Sequence, residues 1–426
     1  LVNPQSTNLR SSLIKKQLKH LHLLIFLSIG LFIPNAFCQT TESDSVKIRR
    51  FDIFPAISYT PETNLTLGAL GYLYPNFKKE DPETVQSYIN FLALYTFANQ
   101  LLIETNWEFF TDGNKMRFIG GIEFARYPNR NYGLGNDADS RVIEYELFEG
   151  QAIDSTINNY KRYSIMWFNF NLGVLRELTN NLYGGGLVDV EYVWNFEELA
   201  DRVSIVQGKN EIDGLEKNAL GLRAGLGLNL IWDSRNYILS SSSGSFINLS
   251  AIFYGSYLGS KYDYYAISMD ARTYLNPVGR HTLALRGVVN LRGTNEEYLP
   301  LRGVSKIGGS NLVRGYFNGT FQNNNMMAFE AEYRIPFWKK DKLGPIYHYW
   351  KRLAMTVFAS GAQVFGPNEP LNISNFNFAV GAGLRILFNE QSRTYLRIDY
   401  AFGLRPNAGG PGQFQRGLYF TFGEAF

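Results

Sequence analysis

Cysteine is nearly missing from this chain of 426 residues: Cys38 is the only one. A single thiol forms no internal disulfide and offers no thiolate cluster for zinc or iron–sulfur chemistry. Histidine is almost as scarce, with His20, His22, His281 and His348 making the total of four. Two of these sit in an apolar N-terminal stretch and two in predicted turns. That placement gives neither a base beside a serine nor a ligand cluster, so no catalytic residues, no metal and no other cofactor are expected. Charged residues are only 19% of the chain, and 41 basic side chains nearly balance 38 acidic ones. This is no footprint for nucleic acid. After the N-terminal region there is also no apolar run of about 18 residues, which excludes membrane helices but leaves strands of about 9–11 residues open.

What is plentiful is aromatic residues, 15% of the chain, and glycine, with 40. They fall in segments that alternate apolar and polar. Leu396, Ile398, Tyr400, Phe402 and Leu404 share one face of a strand, and Arg397, Asp399, Ala401, Gly403 and Arg405 share the other. Leu220, Leu222, Leu226, Leu228, Leu230 and Trp232 alternate likewise with Gly221, Arg223, Gly225, Gly227 and Asn229. About sixteen such segments are predicted, from Asp52–Tyr59 through to Gln415–Phe426. A soluble sandwich would alternate too, but sixteen strands would make an unusually large one. In lipid, a sheet must close so that no backbone group is left unpaired. The predicted fold is all-β: a single transmembrane antiparallel barrel of about 16 strands. The long links 127–158, 195–217 and 293–325 all fall on one side, as expected of outer-membrane barrels with long outer loops and short periplasmic turns.

The N-terminus reads as an export signal. Lys15, Lys16 and Lys19 precede an apolar stretch from Leu21 to Ile33, then Pro34 and Ala36. Cleavage after Cys38 is predicted. A lipid anchor on Cys38 is the rival reading, although Phe37 is bulky for the position before a lipid-modified cysteine. The expected organisation is therefore a signal segment over 1–38, a short periplasmic segment over 39–51 and the barrel over 52–426. Loss of 1–38 removes Arg10 and three lysines, which turns 41 against 38 into 37 against 38. The segment 39–51 is too short for a folded domain.

One link carries more than composition. Ile307-Gly308-Gly309 is followed by Leu312-Val313-Arg314-Gly315-Tyr316, and then by Glu330-Ala331-Glu332-Tyr333-Arg334-Ile335-Pro336. Together with Trp232-Asp233-Ser234-Arg235-Asn236 before Gly244, and Tyr132-Gly133-Leu134-Gly135-Asn136-Asp137, this order resembles the bacterial surface-antigen superfamily that includes the BamA and TamA outer-membrane assembly factors. The likeness covers nearly all of the predicted barrel, and the chain is most similar to members without POTRA domains. The proline usual before the Gly244 equivalent is missing.

The resemblance implies a signature loop between the eleventh and twelfth strands that folds back into the barrel. Its residues here are Gly308, Gly309, Val313, Arg314, Gly315 and Tyr316. It implies that Arg314 pairs with acids on the wall, because a buried guanidinium left alone is costly and a carboxylate suits its planar fork. Glu332 matches the wall acid. The family's second wall acid aligns with Ala359, so Glu330 is the candidate substitute. On the alternation, Glu330, Glu332 and Arg334 face the lumen, and Phe329, Tyr333 and Ile335 face lipid.

Gln415, Gly417, Phe420, Phe422 and Phe426 resemble the terminal signal by which the barrel assembly machinery recognises its clients. A plainer reading makes these aromatics lipid-facing residues at a membrane rim. The family also implies a seam between first and last strands that opens toward an incoming strand. Pro55 gives no ladder hydrogen bond, and Gly417 and Gly423 weaken the last strand, so few inter-strand bonds are expected there. The implied function is assistance in inserting or translocating protein or lipid-linked substrates at the outer membrane of a Gram-negative bacterium. Outer-membrane lipid, the assembly machinery and separate periplasmic or outer-membrane proteins are the expected partners. A plugged passive pore, a structural barrel and, more remotely, a barrel lipase are the alternatives.

Overall fold

The computed structural model describes residues 51–60, 64–75, 84–97, 99–136, 161–199, 218–238, 240–295, 299–337, 352–389, 393–406 and 414–426. The expected signal over 1–38, nearly all of 39–51 and His348 lie outside these residues. The strands are β1 (Phe51–Thr60), β2 (Asn64–Leu73), β3 (Tyr88–Thr96), β4 (Leu101–Phe110), β5 (Met116–Asn131) and β6 (Lys161–Thr179). They continue with β7 (Leu182–Leu199), β8 (Gly221–Asp233), β9 (Gly244–Tyr254), β10 (Tyr264–Leu275), β11 (Thr282–Thr294) and β12 (Ser305–Ile307). The last six are β13 (Phe321–Asn323), β14 (Asn325–Pro336), β15 (Leu353–Phe365), β16 (Asn377–Asn389), β17 (Thr394–Gly403) and β18 (Arg416–Phe422).

Each strand pairs antiparallel with the next, and β1 meets β18 to close a barrel, with β12 and β13 set apart as a small hairpin. That leaves sixteen strands in the wall, because β11 pairs directly with β14 across the hairpin. The period of two decides which face meets lipid. Along β8, Leu226, Leu228 and Leu230 are exposed at 45%, 71% and 43%, while Asn229 between them is buried. Lipid can cover the leucines, whereas Asn229 donates inside to Asn248 at 2.6 Å. On β17, Tyr400 and Phe402 point outward and Arg397, Asp399 and Ala401 are buried.

Strand height is uneven around the wall. β6 has 19 residues and β7 has 18, against 7 in β18 and 10 in β1. The closure joins the short side, where the register recorded between β1 and β18 is Tyr59 opposite Phe420. By contrast, β1 and β2 stay in register along their whole length, with Pro55 opposite Ala69.

Two sequence expectations change here. The last strand was expected over Gln415–Phe426, but β18 ends at Phe422. Gly423 has φ +85°, a conformation that L side chains rarely tolerate, and the chain leaves the wall at that point. Phe426 is consequently buried against Tyr274, Ala284 and Ala425 inside the bore, and is not a rim aromatic facing lipid. The link 293–325 is also more than a loop, since Ser305, Lys306 and Ile307 pair with Asn323, Gln322 and Phe321. A charge on the outer face should be costly: Leu228→Arg is expected to lower barrel stability by about 2–4 kcal/mol if this residue lies near mid-membrane. Denaturant unfolding in lipid vesicles measures the loss.

Candidate functional site

The site is the bore, and the segment between β11 and β14 fills it. Its hairpin supplies internal ladder bonds, so the loop enters with part of its backbone already satisfied. Gly308 (φ +112°) lies so close to the carbonyls of Tyr316 and Phe317 that a β-carbon would collide with them. Gly315 (φ +116°) presses against the Phe402–Gly403 backbone of β17 in the same way. Between them Val313 is fully buried with φ +52°, a rare conformation for a β-branched residue. Its N–H donates to Glu330 at 3.0 Å, which helps to hold the strained turn in place.

This turn delivers Arg314 to the wall. The guanidinium donates to Glu332 Oε2 at 2.6 Å and to Asp399 Oδ2 at 2.5 Å. It also lies 3.6 Å from the ring centroid of Phe358. All three partners are buried, as is Arg314 itself at 1% exposure. Burial opposes its charge, and Glu332 and Asp399 offset that cost. The two carboxylates are shared. Glu332 accepts from Arg334 at 2.8 Å and lies 3.4 Å from Arg385. Asp399 lies 2.6 Å from Arg385 and 3.6 Å from Arg397.

The rest of the loop is held along the bore. The Tyr316 hydroxyl donates to the Phe378 carbonyl at 2.8 Å, and its ring packs where Gly403 has no side chain. Gly315 N–H donates to the Tyr419 hydroxyl at 3.1 Å, and Phe317 N–H donates to Gln415 Oε1 at 2.8 Å. A second anchor uses another part of the wall: Arg302 donates to Glu191 at 2.9 Å and lies 3.7 Å from the Trp167 ring. Nearby, burial and the positive Arg302 push the Lys306 ammonium down to about 8. At the far end, Gln322 donates to Asn131 at 2.5 Å, and its carbonyl accepts from Gly135 at 2.7 Å.

The sequence reading and the geometry differ at identifiable places. Gly308, Gly309, Val313, Arg314, Gly315 and Tyr316 lie together in the bore, and Glu332 meets Arg314. Glu330 does not replace a second acid on that guanidinium: its carboxylate takes the Val313 N–H and lies 3.4 Å from Arg286. The second acid is Asp399, on β17. Ala359 is exposed on the lipid face of β15, because the two-residue period turns its neighbour Phe358 into the bore instead. Gln415 and Gly417 belong to the loop's seat: Gln415 binds the loop backbone, and Gly417 leaves room for the Tyr419 ring. Phe420 is half-buried, and the Phe422 side chain lies outside the described residues.

Arg385, Tyr419 and Glu424 were missed as site residues. The sequence does mark Arg385, a charge on the inward face of an apolar strand. Other acids also face arginines in the bore: Asp189 and Glu191 each lie 3.4 Å from Arg223, and Asp270 lies 2.9 Å from Arg286.

A closed antiparallel barrel with an apolar outer face, filled by a re-entrant loop whose buried arginine is clasped by wall carboxylates, defines a plugged transmembrane barrel. The pattern of the Omp85 superfamily domain matches residues 109–426. The chain belongs to the Omp85 superfamily. Among solved structures it is similar to BamA from Haemophilus ducreyi lacking POTRA domains 1-3, at 14% identity and TM-score 0.54, over 94% of this chain and 78% of that one. It is also similar to CdiB from Acinetobacter baumannii, at 12% identity and TM-score 0.51, over 88% and 60%. CdiB from Escherichia coli shares 10% identity at TM-score 0.54, over 90% and 64%. At such identities the likeness shows the fold alone, and the chain spans less than two thirds of either CdiB chain. No curated protein matches it.

The shared carboxylates predict an asymmetry between variants. Glu332→Gln or Asp399→Asn strands buried guanidiniums and should cost about 3–5 kcal/mol. Arg314→Gln leaves both carboxylates with arginine partners and should cost less. Chemical unfolding of the three variants in detergent micelles gives the ranking.

Proposed function

We propose that this protein is an outer-membrane barrel that assists the insertion or translocation of a polypeptide or a lipid-linked substrate, without enzymatic activity of its own. The seating of the signature loop carries the reading. Its arginine is held by β14 and β17, its backbone by β18, and β18 is the short strand at the closure. A loop seated there bears on the same part of the wall that an incoming strand would use. The closure fits this role, since β18 and β1 are short, and an edge with few ladder bonds is a template for strand addition. Pro55 and Gly417 contribute by removing a donor from β1 and a side chain from β18.

In this reading the segment 1–38 is the export signal, 39–51 a short periplasmic lead, and 52–426 the working barrel. Substrate then arrives from separate periplasmic or outer-membrane partners. The barrel itself reaches the membrane as a client of the assembly machinery, through its last strand. The plain pore is disfavoured by the loop, which anchors on two parts of the wall through Arg302 and Arg314 and so obstructs the lumen.

Depletion of the protein, followed by a census of outer-membrane proteins and surface lipids, tests the proposal. Loss of a subset of either is expected, and no change in both would defeat it. Cysteines introduced at Tyr59 and Phe420, which face each other across the closure, give a second test. An oxidised pair is expected to stop activity that returns on reduction. In planar bilayers the intact barrel should conduct poorly, and deletion of Gly308–Thr320 should raise conductance severalfold, whereas an open porin would conduct equally in both forms.

A further inference from the structure

We propose that residues 424–426 form an internal latch tied to the plug loop through Arg385, so that the plug and the exit of the last strand are seated or released together. The proposal rests on reading the loop as a displaceable plug. After Gly423 the chain turns into the bore, and each of its next three residues is held there. Glu424 lies 2.8 Å from Arg385 and 3.9 Å from Arg334. The main-chain oxygen of Phe426 accepts from Arg334 at 2.9 Å. The Phe426 ring is buried with Tyr274 and Ala284, across the lumen from β18, and Arg286 and Arg334 lie 5.7 Å and 5.9 Å from its centroid. Ala425 packs in the same cluster.

Arg385 joins this segment to the plug. Its guanidinium is almost fully buried, and it meets Asp399, Glu424 and Glu332 at 2.6, 2.8 and 3.4 Å. Two of these three carboxylates are also the partners of Arg314. By side-chain charge, the connected set among the described residues holds four guanidiniums, from Arg314, Arg334, Arg385 and Arg397. They face three carboxylates, from Glu332, Asp399 and Glu424. The neighbouring set of Arg272, Arg286, Asp270 and Glu330 pairs within itself.

The sign of the coupling follows from this sharing. With the plug in place each of the three carboxylates serves more than one guanidinium or ties Arg385 down, in a bore where unpaired charge is expensive. Departure of Glu424 takes away a negative charge and leaves Arg385 and Arg334 to compete with Arg314 for Glu332 and Asp399. The plug is then weakened. Conversely, departure of Arg314 removes a positive charge that helps to retain Glu424. Such a coupling is reciprocal by thermodynamic necessity. A substrate that displaced either element would thereby loosen the other, and would free the exit of the strand that forms the closure.

The test uses the full chain in lipid vesicles with Cys38 replaced by serine and one reporter thiol at a time. Val313→Cys reports the plug, and Ala425→Cys reports the latch. Glu424→Gln is expected to raise maleimide labelling at residue 313 about tenfold, and Arg314→Gln to raise labelling at residue 425 by a similar factor, within the roughly 5- to 150-fold range of ordinary couplings. Heat-modifiable migration shows which variants are folded. Should Glu424→Gln fail to fold, Phe426→Ala removes the aromatic seat without touching the charge, and it too should expose residue 313. Labelling at either reporter that ignores the change at the other, in folded protein, would overturn the latch. The depletion phenotype of the unaltered protein is independent of this result, so failure of the latch and failure of the transport reading are told apart.

Discussion

The structure depends on how a buried guanidinium is accommodated inside the bore. Arg314 reaches the wall on a strained turn, and its charge is compensated there by two carboxylates and an aromatic face. Those carboxylates in turn need Arg334, Arg385 and Arg397, which fixes the inward residues of β14, β16 and β17 together. A buried ion pair is weak evidence of stability in general. What this network supplies is position: its geometry is satisfied only when the loop sits against that part of the wall.

The barrel explains why such a network is possible. Strand alternation sends every second side chain inward, so charges that lipid would reject can accumulate on one surface without interrupting the apolar outer face. Short side chains then decide how near the loop can come. Gly403 and Gly417 leave space for Tyr316 and Tyr419, and Gly315 allows the loop backbone to lie directly on β17. The unevenness of the strands adds a direction to this arrangement. The loop's arginine bears on the side where the wall is lowest and its closure briefest, while Arg302 ties it to the tall side built by β6 and β7. In the Omp85 superfamily fold, this chain thus carries its own balance between a held plug and a lightly joined edge.

Much of this was legible in one dimension, for a physical reason: lipid outside and water or protein inside impose a period of two that survives in the residues. Leu226, Leu228 and Leu230 mark the outer face, and Glu330, Glu332 and Arg334 the inner one. The motif around Arg314 was visible through its likeness to a family pattern, and the positive φ of Gly308 and Gly315 and the paired charge of Arg314 show why those residue types stand there. Ala359 shows the limit. A shift of one residue in a strand exchanges lipid for lumen, and an alignment by likeness placed an outward alanine where Phe358 actually faces the loop.

By itself, then, the sequence determined the class of fold, a count of about sixteen strands and the inward face of the strands whose alternation is clean, because each follows from local periodicity, while the loop that enters the bore was implied by its likeness to a family motif. Only the tertiary structure decided that Asp399 is the second carboxylate on Arg314 and where the chain goes after Gly423. Asp399 lies 85 residues from Arg314 in the chain, and the chain beyond β18 seats Phe426 against Tyr274 and Ala284. Such pairings are set by closure of the sheet and by the shape of the bore, which no run of neighbouring residues records.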